Sequence, residues 1–471
     1  MSNIDVVEAR VPGFWSSLRE AVTGTSQDFT EGSIGRAIAL LAVPMVLEMC
    51  MESLFGIVDV FWVAHLGADA ITTVGLTETC MTVLYCIALG LGMGATALVA
   101  RRTGERDEQA AGVVAVQAIL IGLVIAALTA SLGYVFGPDL LRLMGASEDV
   151  VRIGSGYTRM MFAGSATIFL LFLINAVFRG AGDAATAMRA LWIANIVNIL
   201  VNPCLIFGVG PFPRMGVTGS ALGTTIGRGI GVVFQLWMLT SGRGRLAVAA
   251  PQIRLDLAVM LRLIRLSVSA MFQYLVQMAS WIGIVRIMAS FGSAAVAANT
   301  LAIRVIIFAL LPSWGMSNAA ATLVGQNLGA GKPERAERSV WRTGFYNMLF
   351  LGGVGLIFIV FAERIISLFT TDPAVAPLAV QGLRILSYGY LSYAWGMVVT
   401  ASFNGAGDTL TPTLLNLFCF WMCQIPIAWT LAFHTHLGPR GIFFAVITGD
   451  TLLALTSIIL FRRGTWKKTV V

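Results

Sequence analysis

Two short stretches decide the fold of this chain, Phe178-Arg-Gly-Ala-Gly-Asp183 and, 225 residues later, Phe403-Asn-Gly-Ala-Gly-Asp408. The same offset aligns further glycine and polar positions, namely Gly67 with Gly292, Gly104 with Gly329, Arg159 with Arg384, Gly164 with Gly389, Thr186 with Thr411 and Gly216 with Gly441. Unrelated apolar segments would not keep such positions in register over this length. We therefore interpret the chain as two copies of one unit.

The composition is that of a membrane protein. Of the 471 residues, 57% are hydrophobic and only 12% are charged, whereas a soluble domain carries roughly 25% charge. The mean hydropathy is +0.83. These values exclude a soluble globular enzyme and a disordered chain. The six cysteines all lie in apolar segments, and their spacing matches neither a zinc site nor a disulfide framework.

Each copy contains six apolar segments long enough to span a bilayer. The twelve segments are approximately 34–64, 74–100, 112–137, 157–179, 186–208, 217–240, 260–290, 297–325, 342–362, 381–403, 411–433 and 441–461. The sequence predicts an all-α polytopic membrane protein with twelve transmembrane helices in two parallel-repeat six-helix lobes. Because six is even, both lobes have the same orientation, and we expect a binding site between them.

This reading divides the chain into an N-terminal tail, an N-lobe, a linker, a C-lobe and a C-terminal tail, at 1–33, 34–240, 241–261, 262–462 and 463–471. We expect the first tail to be either loose or, around Val11–Val22, a short helix in the membrane interface. We expect no cleavable signal peptide in it, because no apolar core follows a basic start.

Basic residues predict the orientation. Of 31 Lys and Arg residues, 21, including Arg179 and Arg189, fall on the side of the two tails, seven fall on the opposite side, and three lie within spans. Short loops rich in Lys and Arg stay in the cytoplasm. We therefore expect both termini in the cytoplasm, in a multi-pass protein of the bacterial inner membrane.

Acidic side chains inside membrane spans are costly and rare, so each one is a candidate functional group. Glu48, Glu52 and Asp59 fall within about 40° of one another around the first span. Glu78 and Asp450 lie in the second and twelfth spans. We expect the three first-span acids to face water, an ion site or the cavity between the lobes. The alternative is structural pairing with Arg286 or Arg304.

Neutral oxygens and a proline accompany these acids. Asn175 ends the fourth span, and Asn198 and Asn202 lie four residues apart in the fifth. Amide oxygens can bind Na⁺ or bond a protonated carboxyl, although hydrogen bonding between helices is an equally ordinary role. Pro44 removes a backbone hydrogen bond from the first span. We interpret it as a hinge, or alternatively as an ordinary membrane-helix proline.

The two six-span halves, the paired Gly-Ala-Gly-Asp turns, and Val58-Asp59 followed by His65-Leu-Gly67 resemble the multidrug and toxic compound extrusion (MATE) family of cation-coupled exporters. The resemblance covers residues 34–462. It implies export of small organic compounds by alternating access. Related members of the wider superfamily flip lipid-linked oligosaccharides, so a flippase is the alternative function.

The resemblance also implies roles for particular residues. The DinF-like branch has Asn-x-x-x-Asp in the fifth span beside the first-span Asp, and here the pattern reads Asn198-x-x-x-Asn202. The resemblance therefore implies coupling of H⁺ or Na⁺ at Asp59, with Asn175, Asn198 and Asn202 as neutral partners. The acids of the NorM-like branch are replaced by Gln277 and Tyr393. The chain is thus closer to the DinF-like branch.

We expect the substrate cavity to contain Glu48, Glu52, Glu78, Gln277, Arg286 and Tyr393. A flippase for a lipid pyrophosphate would need a strongly basic cavity, and the spans contain more acids than bases. The sequence shows neither a P-loop nor a cluster of catalytic side chains. We expect a monomeric exporter, not an enzyme, with no cofactor other than the coupling ion H⁺ or Na⁺. Its partners would be a small-molecule substrate and membrane lipid, and not nucleic acid.

The orientation is testable by cysteine labelling. A single cysteine introduced beside Lys332 should react with an impermeant maleimide only from the cytoplasm, and one beside His436 only from outside, because the basic loops are predicted to be internal. The reverse labelling pattern would contradict the orientation.

Overall fold

The computed structural model describes residues 14–469, which form helices joined by short loops. The first half contains α1 (Phe14–Thr23), α2 (Ile34–Ala64), α3 (Ala68–Gly104), α4 (Glu108–Leu143), α5 (Glu148–Ala163), α6 (Ser165–Gly180), α7 (Ala184–Phe207) and α8 (Val217–Ser241). The second half contains α9 (Leu257–Ala289), α10 (Ser293–Gly329), α11 (Pro333–Ser367), α12 (Ala376–Tyr388), α13 (Tyr390–Gly405), α14 (Leu410–Asn416), α15 (Ile425–Phe433) and α16 (Pro439–Arg462).

These helices confirm the twelve predicted spans. Eleven helices or continuous helix pairs in residues 14–469 are long and apolar enough to cross a membrane, and α12 with α13 forms the twelfth. The repeat extends to local detail, because the fourth span breaks at Gly164 and its equivalent, the tenth, breaks at Gly389. The eleventh span departs from its repeat equivalent, since a π-helical segment, Leu417–Gln424, joins α14 to α15.

Each lobe has its own apolar core. One cluster fills the N-lobe from Val63 to Leu246 and includes Leu263 of α9, and a second fills the C-lobe from Ile284 to Ala445. A third cluster joins the lobes, because Leu41 and Met45 of α2 pack with Ala319 and Leu323 of α10. We call the face of the bundle that bears both chain ends the tail side, and the opposite face the far side.

Glycines bring the two lobes into backbone contact on the tail side. A Cβ atom at Gly104 of α3 would overlap the carbonyl oxygen of Gln326 in α10, and one at Gly329 would overlap the carbonyl oxygen of Arg101. Gly104 and Gly329 are repeat equivalents, as are Arg101 and Gln326. One crossing therefore occurs twice, which is the arrangement expected of two lobes related by an axis along the membrane normal.

A second pair of crossings lies nearer the membrane centre. A Cβ atom at Gly90 of α3 would lie 2.7 Å from the backbone nitrogen of Met271 in α9, and one at Gly315 of α10 would lie 2.8 Å from that of Val46 in α2. These pairs again differ by the repeat offset. Small residues allow such close helix contact in membranes. We call the four glycines Gly90, Gly104, Gly315 and Gly329 the glycine seam.

The segment before α2 also bridges the lobes, rather than forming a free tail. Phe29 is buried beneath the Arg245 guanidinium, which lies 4.7 Å from the ring centroid. Arg106 of the N-lobe pairs with Asp28 at 3.1 Å, while Arg335 of the C-lobe donates to the carbonyl oxygen of Glu31 at 2.7 Å. Residues 1–10 and the start of the expected interface helix lie outside the described residues, and α1 is held to α2 by an ion pair of Glu20 with Arg36 at 2.6 Å.

Charge keeps this bridge in place. Burial alone would raise the pKa of Asp28, but hydrogen bonds from Thr30 and the nearby Arg106 outweigh it and lower the pKa. The carboxylate therefore stays ionised at neutral pH. Lys332 of the C-lobe donates to the carbonyl oxygen of Thr30 at 3.0 Å, so cations of both lobes hold one short segment.

Alanine substitution in the glycine seam tests its role. Gly104→Ala should lower the melting temperature in detergent, with a loss of about 1–3 kcal/mol, because the added methyl group overlaps a backbone carbonyl that cannot move freely. Gly329→Ala should have a similar effect because it occupies the equivalent position. Gly75→Ala on α3 is the matched control, since its Cβ atom would meet nothing within 4 Å. Equal melting temperatures for Gly104→Ala and Gly75→Ala would contradict a structural role for the seam.

Candidate functional site

A stripe of glycines on α8 brings α7 close enough to form a polar cluster inside the N-lobe. Gly219, Gly223 and Gly227 are four residues apart, and Cβ atoms there would collide with α7. On the adjoining edge of α8, Ser220, Thr224 and Arg228 have the same spacing. Ser220 bonds Asp59, Thr224 bonds Asn198 of α7, and Arg228 bonds Tyr85 of α3.

Asp59 is the acid of this cluster, and its side chain lies between α2, α7 and α8. The residue is 6% exposed, and its Oδ1 accepts hydrogen bonds from Asn202 Nδ2 at 2.6 Å and Ser220 Oγ at 2.9 Å. Asn198 donates to Thr224 Oγ1 at 3.0 Å. The Oδ1 atoms of Asn198 and Asn202 are buried without a hydrogen-bond partner. One carboxylate and two unpaired amide oxygens therefore lie in one buried region.

Glu48 occupies a second, separate polar cluster of the N-lobe. Its Oε1 accepts from Arg179 Nη1 and from Asn175 Nδ2, both at 3.0 Å, and Asn175 Oδ1 accepts from Gln235 Nε2 at 2.6 Å. Glu48 is 2% exposed and the Arg179 side chain 13%. Arg179 is thus the ion-pair partner of a buried acid, although the orientation analysis placed it in a loop.

Arg228 links the first-span acids electrostatically. It is buried, donates to Tyr85 Oη at 3.2 Å, and lies 5.3 Å from the ring centroid of Phe55. The guanidinium is close enough to Glu52 and Asp59 to interact with both charges. Its Nη1 group has no hydrogen-bond partner in the described structure. The positive charge expected at Arg286 or Arg304 is instead supplied by Arg179 and Arg228.

A central cavity of about 410 Å³ lies between the lobes. Its N-lobe wall includes Met49, Glu52, Tyr85, Phe172 and Arg179, and its C-lobe wall includes Tyr274, Gln277, Trp314, Tyr393, Phe420 and Asp450. Drug-sized ligands occupy cavities of about 300–1,000 Å³ with mostly apolar walls and a few polar groups. The cavity therefore suits a small amphipathic molecule.

The structure places only some of the predicted cavity residues on this surface. Glu52, Gln277 and Tyr393 line the cavity. Glu48 does not, because it is buried inside the N-lobe beside Arg179. Glu78 and Arg286 do not line it either. Arg286 is exposed on α9, whereas Glu78 lies on α3 close enough to Asp59 and Arg228 to interact electrostatically with both. Of the three first-span acids, Glu48 and Asp59 are buried inside the N-lobe, while Glu52 lines the cavity.

Pro44 is buried in α2, which continues through it from Ile34 to Ala64. It precedes Met45 and Val46, the backbone that Gly315 approaches. The predicted hinge therefore adjoins a crossing of the glycine seam.

Sequence reasoning missed Ser220, Thr224, Gln235 and Tyr85. The four-residue glycine spacing of α8 was the available signal, because it indicates which face approaches a neighbouring helix. Tyr85 and Gln235 had no such signal, since their roles depend on the tertiary contacts of α3 and α6.

Comparisons with known proteins agree with this architecture. A protein-family model described as MatE matches residues 44–204 and 267–430. The chain is 27% identical to the probable multidrug resistance protein YoeA of Bacillus subtilis, covering 94% of this chain and 96% of that protein. It is 25% identical to the probable multidrug resistance protein NorM of Thermotoga maritima, covering 93% and 94%.

A solved structure is also similar. It is described as the outward-facing conformation of a multidrug resistance MATE family transporter of the MOP superfamily. The TM-score is 0.87 at 25% identity, and the match covers 94% of this chain and 98% of that one.

The buried Glu48–Arg179 pair leads to a stability prediction. Arg179→Ala should destabilise the protein by about 3–5 kcal/mol, because it leaves a buried carboxylate without its cation. Adding Glu48→Gln should recover much of that loss. Thermal unfolding in detergent measures both, and Arg152→Ala, which breaks an exposed pair with Asp149, is the control expected to melt near the wild type. If the stability loss of the double variant equalled the sum of the losses of the two single variants, the two side chains would not interact.

Proposed function

The chain belongs to the MatE family of multidrug exporters, and from this we propose that it is a secondary active antiporter of small cationic or amphipathic organic compounds. In this proposal, H⁺ or Na⁺ moves inward through the N-lobe carboxylate Asp59 and drives export. The substrate occupies the central cavity, in contact with Glu52, Gln277 and Tyr393.

The observation that supports this proposal is the isolation of Asp59 from the cavity. It lies inside the N-lobe with two hydrogen-bond donors and two unpaired amide oxygens nearby. A carboxylate in this setting can take up a proton. It can also bind Na⁺ with oxygens of Asn198, Asn202 and Ser220, because alkali and alkaline-earth cations prefer oxygen ligands. The absence of an acid at Gln277 and Tyr393 favours the DinF-like branch.

In the proposed cycle, the present arrangement is outward-facing. The glycine seam closes the tail side, which the basic loops assign to the cytoplasm. Binding of H⁺ or Na⁺ at the Asp59 carboxylate changes how α2 packs on α7 and α8, and Pro44 lets α2 bend. The seam then separates, and the cavity opens to the cytoplasm. We further propose a monomer in the bacterial inner membrane, surrounded by lipid.

Export is favoured over lipid-linked oligosaccharide flipping by the charges of the cavity. A pyrophosphate carrier would require unpaired cations on the wall. Arg179 is engaged by Glu48, and the other charged wall residues, Glu52 and Asp450, are acids.

Ion-driven efflux from proteoliposomes tests the proposal. Asp59→Asn should reduce efflux of a fluorescent organic cation to the level of empty vesicles, under an imposed ΔpH or ΔNa⁺, because the nearly isosteric amide cannot exchange the charge. Asp69→Asn, at an exposed acid of the far side, should transport like the wild type. Undiminished gradient-driven efflux by Asp59→Asn would move the coupling site to another residue. Comparing the two gradients in the wild type distinguishes H⁺ from Na⁺.

A further inference from the structure

The charged side chains on the cavity wall differ in whether a side chain of opposite charge accompanies them. Three charged side chains line the cavity, Glu52 and Arg179 from the N-lobe and Asp450 from the C-lobe. Arg179 pairs with Glu48 at 3.0 Å, and Glu52 interacts with the buried Arg228. In residues 14–469, no side chain donates a hydrogen bond to Asp450 or forms an ion pair with it. Among the charged-type side chains of the wall, Asp450 is thus the acid without a compensating partner in residues 14–469.

The repeat shows that this acid is not needed for packing. The N-lobe equivalent of Asp450 is Thr225, whose hydroxyl donates to the carbonyl oxygen of Ala221 within its own helix at 2.9 Å. A helix at this place in the fold therefore packs without an acid. An acid in a membrane span that serves no packing role is a candidate for ligand binding.

The helices around Asp450 hold it firmly. The preceding residue, Gly449, lies against Gln424, because a Cβ atom there would be 2.8 Å from Gln424 Oε1. Gln424 ends the π-helical segment, and such segments are frequent at functional sites. The same segment brings Phe420 to the cavity wall.

Aromatic rings accompany the acid on the C-lobe wall. Tyr274, Trp314, Tyr393 and Phe420 line the same cavity, and Tyr393 lies near Asp450. Aromatic faces attract organic cations, most strongly when water is excluded. A carboxylate beside several rings suits a lipophilic cation better than a sugar or an anion.

We propose that Asp450 is the counter-charge for the cationic group of the transported compound. This inference rests on the proposed export function and deepens it, because it assigns the substrate cation and the coupling ion to carboxylates in different lobes. Substrate and ion then do not compete for one acid. Their exchange is linked by the movement of the lobes.

Binding to purified protein in detergent tests the assignment with two probes, tetraphenylphosphonium and its uncharged near-analogue triphenylphosphine oxide, by isothermal titration calorimetry. Asp450→Asn should raise the Kd for tetraphenylphosphonium at least about tenfold, while the Kd for the neutral analogue changes less than about twofold, because only the cation loses a charge partner. Asp450→Glu should restore cation binding. The surface control Asp372→Asn should bind both probes like the wild type.

The alternative outcomes are distinct. Wild-type affinity of Asp450→Asn for tetraphenylphosphonium would overturn the assignment. Equal loss of both probes in Asp450→Asn, without rescue by Asp450→Glu, would reduce the residue to a packing role and also overturn it. A wild-type protein that binds neither probe would contradict the proposed substrate class itself.

Discussion

The backbone contact between the lobes at the glycine seam is the constraint on which the rest of the structure depends. At Gly104 and Gly329, and again at Gly90 and Gly315, helices of opposite lobes approach so closely that a methyl group would not fit. Such contacts are short in range and lose about a quarter to a half of their attraction when a gap of about 0.5–1 Å opens. A closed tail side and a central cavity above it follow from this contact.

The two lobes share one fold but divide the polar chemistry between them. The N-lobe contains buried acids with partners, Asp59 beside Asn202 and Ser220, and Glu48 beside Arg179. The C-lobe has the uncompensated Asp450 among aromatic rings on the cavity wall. Removing one member of a buried pair is costly. The N-lobe acids are therefore held with fixed partners, and this setting suits one particular ion. An uncompensated acid in a cavity suits exchangeable organic cations.

The fold could be predicted from the sequence because its signals are local or repeated. Apolar segments of sufficient length and the 225-residue offset fixed the number and order of the spans, and even the breaks at Gly164 and Gly389 fall on an aligned pair. The site was only partly predictable. Helical periodicity grouped Glu48 with Asp59, but it could not show that the face points into the lobe rather than toward water. Nor could it show that Arg179 reaches Glu48 across 131 residues of sequence.

The central claim is that the charge state of Asp59 controls how the lobes meet, and the most direct test is a distance measurement between them. Spin labels at the exposed far-side positions Asp149 and Asp372, in a cysteine-free protein, report lobe separation by double electron–electron resonance. In the wild type, lowering the pH or adding Na⁺ should shift the distance distribution, while Asp59→Asn should abolish the shift and Asp450→Asn should retain it. A shift that persists in Asp59→Asn would contradict the account.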